Sequence, residues 1–129
     1  MLVEIVQVHE FEKDMVSLSK FPTINSDLER FKKILVAESE SSIRVIGRLP
    51  GQIQGAERDK LYHECTAYIY KARRFRCEYL RCTNRIRVMY AFSELDSRFT
   101  LIEIYFKNGK QNEDRARIFN YFGKKKEPV

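Results

Sequence analysis

The sequence predicts a single α+β domain in which an N-terminal helical hairpin packs on a sheet and a short helix closes the chain. Three observations carry this expectation. Apolar residues recur at helical spacing in two successive stretches between Phe11 and Leu35. Alternation with a period of two takes over between Tyr68 and Phe106. No internal repeat, low-complexity tract or linker divides the 129 residues, a length that suits one core.

Each element has its own signal. Leu2 to Val8 is rich in β-branched and apolar residues and reads as a first strand. Phe11, Met15 and Leu18 mark one face of a helix that stops before Pro22. A second helix starts at Asn25 or Ser26, where Ser26-Asp27-Leu28-Glu29 has the form of a capping box. Its buried stripe is Leu28, Phe31, Ile34 and Leu35, and the serine-rich ESESS from Glu38 to Ser42 ends it. Ile43 to Ile46 is a candidate short strand, and GRLPGQIQG, Gly47 to Gly55, an irregular loop.

From Tyr68 onward, Ile69, Lys71, Arg73, Phe75, Cys77 and Tyr79 share one parity. RCTN, Arg81 to Asn84, reads as a turn. Between Arg85 and Phe92, Ile86, Val88, Tyr90 and Phe92 face one way, and Arg85, Arg87, Met89 and Ala91 the other. SELDS, Ser93 to Ser97, is a second turn, and Phe99 to Phe106 has the composition of a central strand. KNGK, Lys107 to Lys110, breaks it. A terminal helix is expected from about Asn112, with Glu113 and Asp114 in its first turn, where the helix dipole favours acids, and Gly123 as its stop. Consecutive strands joined by short turns pair antiparallel. The domain then spans residues 1–123, and KKKEPV, residues 124–129, is a flexible basic tail.

Composition excludes several classes. Hydrophobic residues make up 43% and charged residues 33% of the chain, the balance of a soluble globular protein. No apolar run approaches the length of about 18 residues that a membrane span needs. The start MLVEIVQVHEFEKD lacks the basic opening and cleavage site of a signal peptide, so a cytoplasmic location without membrane contact is expected. Three cysteines, Cys65, Cys77 and Cys82, without a CxxC pair, argue against both a disulfide framework and a four-ligand zinc site. Cys77 and Cys82 could approach each other across a hairpin, but free cysteine ordinarily packs as a small hydrophobe. His9 and His63 are remote from each other and read as structural or surface residues. No HExxH, GxxxxGKS/T, GxSxG or GxGxxG motif occurs, and no metal or cofactor is expected.

The charge is unevenly placed. YKARRFRCEYLRCTNRIRVMY, Tyr70 to Tyr90, holds seven lysines and arginines against one glutamate, a formal +6 equal to that of the whole chain. On alternate strand positions such side chains stay on one face, about 6.5–7 Å apart along the strand, close to a phosphate-to-phosphate step. Lys71 and Arg73, Arg85 and Arg87, and Lys107 thereby become candidates to converge on one sheet face, with Phe75 and Tyr79 near enough to stack on a base. Pattern alone leaves two readings open. One is a solvated basic face paired with Glu78, Glu103 or helix acids. The other is contact with a phosphate backbone.

The run YKARRFR, then RIRVMYAF, then TLIEIYFKNGK and a short helix resembles the C-terminal half of the RelE/ParE superfamily of type II toxin–antitoxin toxins. FEKDMVSLSKFPTINSDLERF resembles that family's N-terminal hairpin, so the likeness covers roughly residues 3–122. It implies a helical hairpin on a small, twisted, mostly antiparallel sheet. It also implies a metal-independent endoribonuclease that cuts mRNA on the ribosome, using the RNA 2′-OH as nucleophile and lysine and arginine as catalysts, with a cognate antitoxin as partner. Lys71 and Arg73 match the family's paired basic positions, one as base or proton relay and the other on phosphate. Arg87 matches the arginine that stabilises the transition state, and Lys107 a further basic position. Arg74, Arg76, Arg85, Phe75 and Tyr79 become the RNA-binding candidates. The chain departs from the pattern where Asn108 follows Lys107 and where the last helix begins NEDR, with Tyr121 the nearest later tyrosine. These departures keep two alternatives open: a ParE-like protein that inhibits gyrase by contact, and a non-catalytic RNA- or protein-binding member of the fold.

Overall fold

The computed structural model describes residues 3–42, 56–58, 62–110 and 112–124. The chain runs β1 (Glu4–Gln7), α1 (His9–Ser17), α2 (Ile24–Ser42), β2 (Ala56–Arg58), β3 (Tyr68–Cys77), β4 (Cys82–Ser93), β5 (Arg98–Phe106) and α3 (Arg115–Phe122). The class is α+β. The sheet order is β1-β5-β4-β3-β2. β1 pairs parallel with β5, Glu4 opposite Arg98, whereas β5–β4, β4–β3 and β3–β2 pair antiparallel. Among the described residues no helix is long and apolar enough to cross a membrane.

β5 lies inside the sheet, and its residues from Phe99 to Tyr105 are buried without alternation, because both faces of the sheet are covered there. On one face α1 lies along β5 and α2 along β3. Phe11, Leu18, Leu28, Phe31 and Leu35 meet Tyr70, Ala72, Phe75, Ile86, Val88, Tyr90, Phe99, Leu101 and Ile104 in the main core. Tyr90 is its hub, stacked on Tyr70 at 5.3 Å and edge-on to Phe31 at 6.0 Å. The opposite face carries a smaller core of Tyr62, Ile69, Met89, Ala91, Ile102, Tyr105 and Ile118, closed by α3.

Several local expectations are corrected. α2 begins at Ile24, and the Ser26–Glu29 capping box does not form. Ser26 Oγ donates to the Thr23 carbonyl at 2.9 Å, and Glu29 pairs with Lys32. Burial of Phe21 and Ile24 draws the helix start forward, and the first turn closes with Asp27 N donating to the Thr23 carbonyl at 2.8 Å. Ile34 is 43% exposed, since Leu28, Phe31 and Leu35 already occupy the buried stripe and Ile34 falls to its flank. The β3–β4 turn is residues 78–81, earlier than RCTN. Arg81 takes a positive φ of 53°, as Ser97 does at 48° in the β4–β5 turn.

β2 is an element the sequence pattern did not suggest. The candidate strand at Ile43–Ile46, the loop at Gly47–Gly55 and the tail beyond Lys124 lie outside the described residues. α3 starts at Arg115, with the Asp114 carboxylate accepting from Arg117 N at 3.0 Å. Gly123 does end α3, by close approach rather than left-handed backbone: a Cβ there would lie 2.6 Å from the Phe119 carbonyl oxygen.

One ion pair ties α3 to α1 across the end of the sheet. Arg117 Nη1 donates to Asp14 Oδ2 at 2.6 Å and to the Ile102 carbonyl at 2.9 Å, and the same Asp14 oxygen accepts from Ile104 N. Asp14→Ala removes the hydrogen-bonded anion of a guanidinium that is only 12% exposed and leaves it Asp114 alone, 3.9 Å from its Nε. In a urea titration it should lower the unfolding free energy by about 2–4 kcal/mol. Asp14→Leu combined with Arg117→Met should cost clearly less than the single change.

Candidate functional site

The site originates in an irregularity of β3. Tyr70 and Ala72 point into the main core, and simple alternation would send residue 74 after them. The register instead shifts between Ala72 and Phe75, so Phe75 and Cys77 take the inward places while Arg73 and Arg74 are both exposed. The Arg87 guanidinium is held across this break. Its Nη1 donates to the Arg73 carbonyl at 2.7 Å and to the Asn84 carbonyl at 3.1 Å. That uses both Nη1 protons, and among the described residues Nε and Nη2 have no hydrogen-bond partner.

On the face opposite the helical pair, beside the area closed by α3, Lys71, Arg73, Arg87, Tyr105, Lys107, Asn108 and Asn112 line a cleft of about 690 Å³. Four of these side chains are cationic and none is acidic. β3 supplies Lys71 and Arg73, β4 supplies Arg87, β5 supplies Tyr105, and the segment between β5 and α3 supplies Lys107, Asn108 and Asn112. Lys107 is positioned through its amide, which donates to the Arg85 carbonyl at 2.8 Å. Among the described residues neither Arg73 nor Lys107 pairs with a carboxylate. Such a concentration of like charge is relieved by a bound anion.

Lys71 is the exception. Its ammonium lies 2.9 Å from Glu113 Oε2, with the two side chains 16% and 1% exposed. Glu113 Oε1 accepts from the Tyr62 hydroxyl at 2.8 Å. Burial works to push the Glu113 carboxyl up, but the Lys71 ammonium, its own backbone amide and the Tyr62 hydroxyl outweigh it and hold the carboxyl below the ordinary glutamate value. Behind it Glu103, also buried, accepts from Lys110 Nζ at 2.6 Å and from Asp114 N at 2.7 Å. The segment between β5 and α3 is thus fixed to the sheet at both of its acids.

Tyr105 contributes a neutral donor. It is 6% exposed, and burial, with Glu113 and Glu103 adding to it, pushes its hydroxyl up to about 12 against the pull of Arg87 and Arg73. The phenol therefore keeps its proton through the physiological range.

The four residues assigned to catalysis by resemblance, Lys71, Arg73, Arg87 and Lys107, all line this one cleft. The RNA-binding candidates do not. Arg74 and Arg85 are exposed outside it. Arg76 donates to Glu78 at 3.1 Å. Phe75 is corrected outright: it is 1% exposed and packs on Phe31 at 5.6 Å, where no base can reach it. Tyr79 is 56% exposed but sits on the helical side, 6.3 Å from Phe21. Sequence reasoning missed Tyr105, although it shares strand parity with Lys107. It also missed Glu113, whose position before α3 suggested only a dipole partner. Among the described residues no three His, Cys, Asp or Glu side chains gather as a metal ion requires.

No family model, curated protein or solved structure matches the chain.

The low-lying Glu113 carboxyl sets a pH dependence. Its contribution to stability is complete above the unfolded value near 4.5 and is lost as the pH falls through the lower folded value. Wild type should exceed Glu113→Gln by about 1–3 kcal/mol in urea titrations at pH 7. The gap should close as the same titrations are taken down from about pH 5 to pH 3.

Proposed function

We propose that this chain is a RelE-like toxin: a metal-independent endoribonuclease that cleaves mRNA on the ribosome in the cytoplasm and is held inactive by a cognate antitoxin. With this goes a reading of the fold as RelE-like, a helical hairpin on a mostly antiparallel sheet. The observation that supports it most is the convergence of Lys71, Arg73, Arg87 and Lys107 on one open cleft.

RNA supplies its own nucleophile. The 2′-OH attacks the adjacent phosphorus, the bond to the 5′-oxygen breaks, and negative charge grows on the non-bridging oxygens in between. Arg87 and Arg73, both lining the cleft, form a cationic pair suited to those oxygens. Lys107 fits a flanking phosphate. Lys71, whose ammonium contacts the Glu113 carboxylate, suits proton delivery to the leaving 5′-oxygen. Tyr105 holds a proton that can be donated to the same phosphate.

Induced expression of wild type and variants tests this, with growth and transcript 5′ ends as readouts. Wild type should arrest growth and yield cut transcripts on ribosomes. Arg87→Ala should reduce cutting by about 100-fold or more while keeping the circular-dichroism spectrum of the folded chain. Tyr105→Phe should reduce it by roughly 10-fold. Intact transcripts and equal growth in wild type and Arg87→Ala would rule the nuclease out. Whole transcripts with gyrase trapped on broken DNA would point to the ParE-like alternative.

A further inference from the structure

Two of the three cysteines take no part in the cleft yet are placed together by the fold. Cys77 ends β3, Cys82 begins β4, and they are direct Cα partners across the base of the hairpin. Opposed residues of an antiparallel pair have Cα atoms about 4.5–5.5 Å apart and side chains on one face, within the window of about 4.4–6.8 Å that a disulfide bridges. Both thiols are free.

Their surroundings differ in a useful way. Cys77 is 1% exposed, with Thr23 Oγ1 4.0 Å from its sulfur. The single Thr23 hydroxyl proton already goes to Asp27 Oδ2, so the threonine meets Cys77 as an acceptor. Cys82 is half-buried and open to a small oxidant. The turn between them is anchored independently of either sulfur: Glu78 N donates to Asp27, Tyr79 N to Thr23, and Arg30 to the Glu78 carboxylate. The two thiols are therefore held opposite one another. Cys65 packs against the other face of the sheet.

We infer that Cys77 and Cys82 form a reversible dithiol–disulfide pair, oxidised by peroxide, which seals the β3–β4 hairpin. The Cys82 sulfur attacks one peroxide oxygen, the O–O bond breaks, and sulfenic acid and water result. The Cys77 sulfur then attacks the Cys82 sulfur, the S–O bond breaks, and the departing hydroxide leaves as water with the Cys77 proton. Two thiols lose two electrons and two protons, and one peroxide becomes two waters. The sealed hairpin carries Lys71, Arg73 and Arg87, so oxidation stiffens the frame of the cleft and consumes none of its side chains. The inference does not depend on what the cleft binds.

The test is peroxide treatment of the folded full-length chain, native alkylation of remaining thiols and intact-mass measurement. Apart from any alkyl group added at Cys65, loss of about 2 Da from wild type, a Cys77–Cys82 cross-linked peptide and its reversal by dithiothreitol are expected. Cys65→Ser should behave identically, and Cys82→Ser should form no internal cross-link. Thermal unfolding of the oxidised form should shift up by roughly 5 °C or more. Retention of both thiols, progression of Cys82 to sulfinic acid, or a bridge that uses Cys65 or a second chain would each overturn the inference.

Discussion

β3 changes face once, between Ala72 and Phe75, and the placement of charge in this protein follows from that change. A strand that kept its alternation would carry Phe75 to the open side with Lys71 and Arg73 and press Arg74 into the core opposite Phe31. A guanidinium without a partner in that position would cost several kcal/mol. The irregularity lets a dense basic run pass through the middle of a sheet with its aromatic residues inward. It also frees the Arg73 carbonyl, which Arg87 claims. The same break therefore shapes the core and fixes the orientation of the central arginine.

The cleft can concentrate cations because acids are stationed beneath and beside it rather than in it. Glu113 and Glu103 are 1% and 2% exposed at their side chains and each holds a lysine, while Asp14 holds Arg117. Buried pairs of this kind add little net stability on their own. Their effect is geometric: they fix the segment leading into α3 to the sheet and keep Lys71 oriented. Lys71 is thus chemically distinct from Arg73 and Lys107, which face the cleft without an internal counter-charge among the described residues.

Period and composition made much of the fold legible. The helical stripes Phe11–Leu18 and Leu28–Leu35, the alternation of Ile86, Val88 and Tyr90, and the unbroken apolar run of β5 are signals that burial strengthens. What alternation cannot reveal is a register break, and for that reason it assigns Phe75 to the wrong face. Capping by local motif also failed at Ser26, because burial of Phe21 and Ile24 outweighs the side-chain preference. In the cleft, the basic residues stood out by charge. Tyr105 and Glu113 did not, since their roles arise from neighbours distant in the chain: Arg87 beside the phenol, Lys71 and Tyr62 around the carboxylate.

The parallel pairing of β1 with β5 has a consequence for how the molecule comes into being. Glu4–Gln7 is synthesised early but has no ladder to join until Arg98–Phe106 exists, a closure of high contact order that slows folding. The walls of the cleft likewise run from Lys71 to Asn112, with their carboxylate support at Glu113. A chain still emerging, or cut short before Asn112, lacks part of the wall and the Glu113 support of Lys71. The recess has all its walls and support only once the chain reaches Glu113.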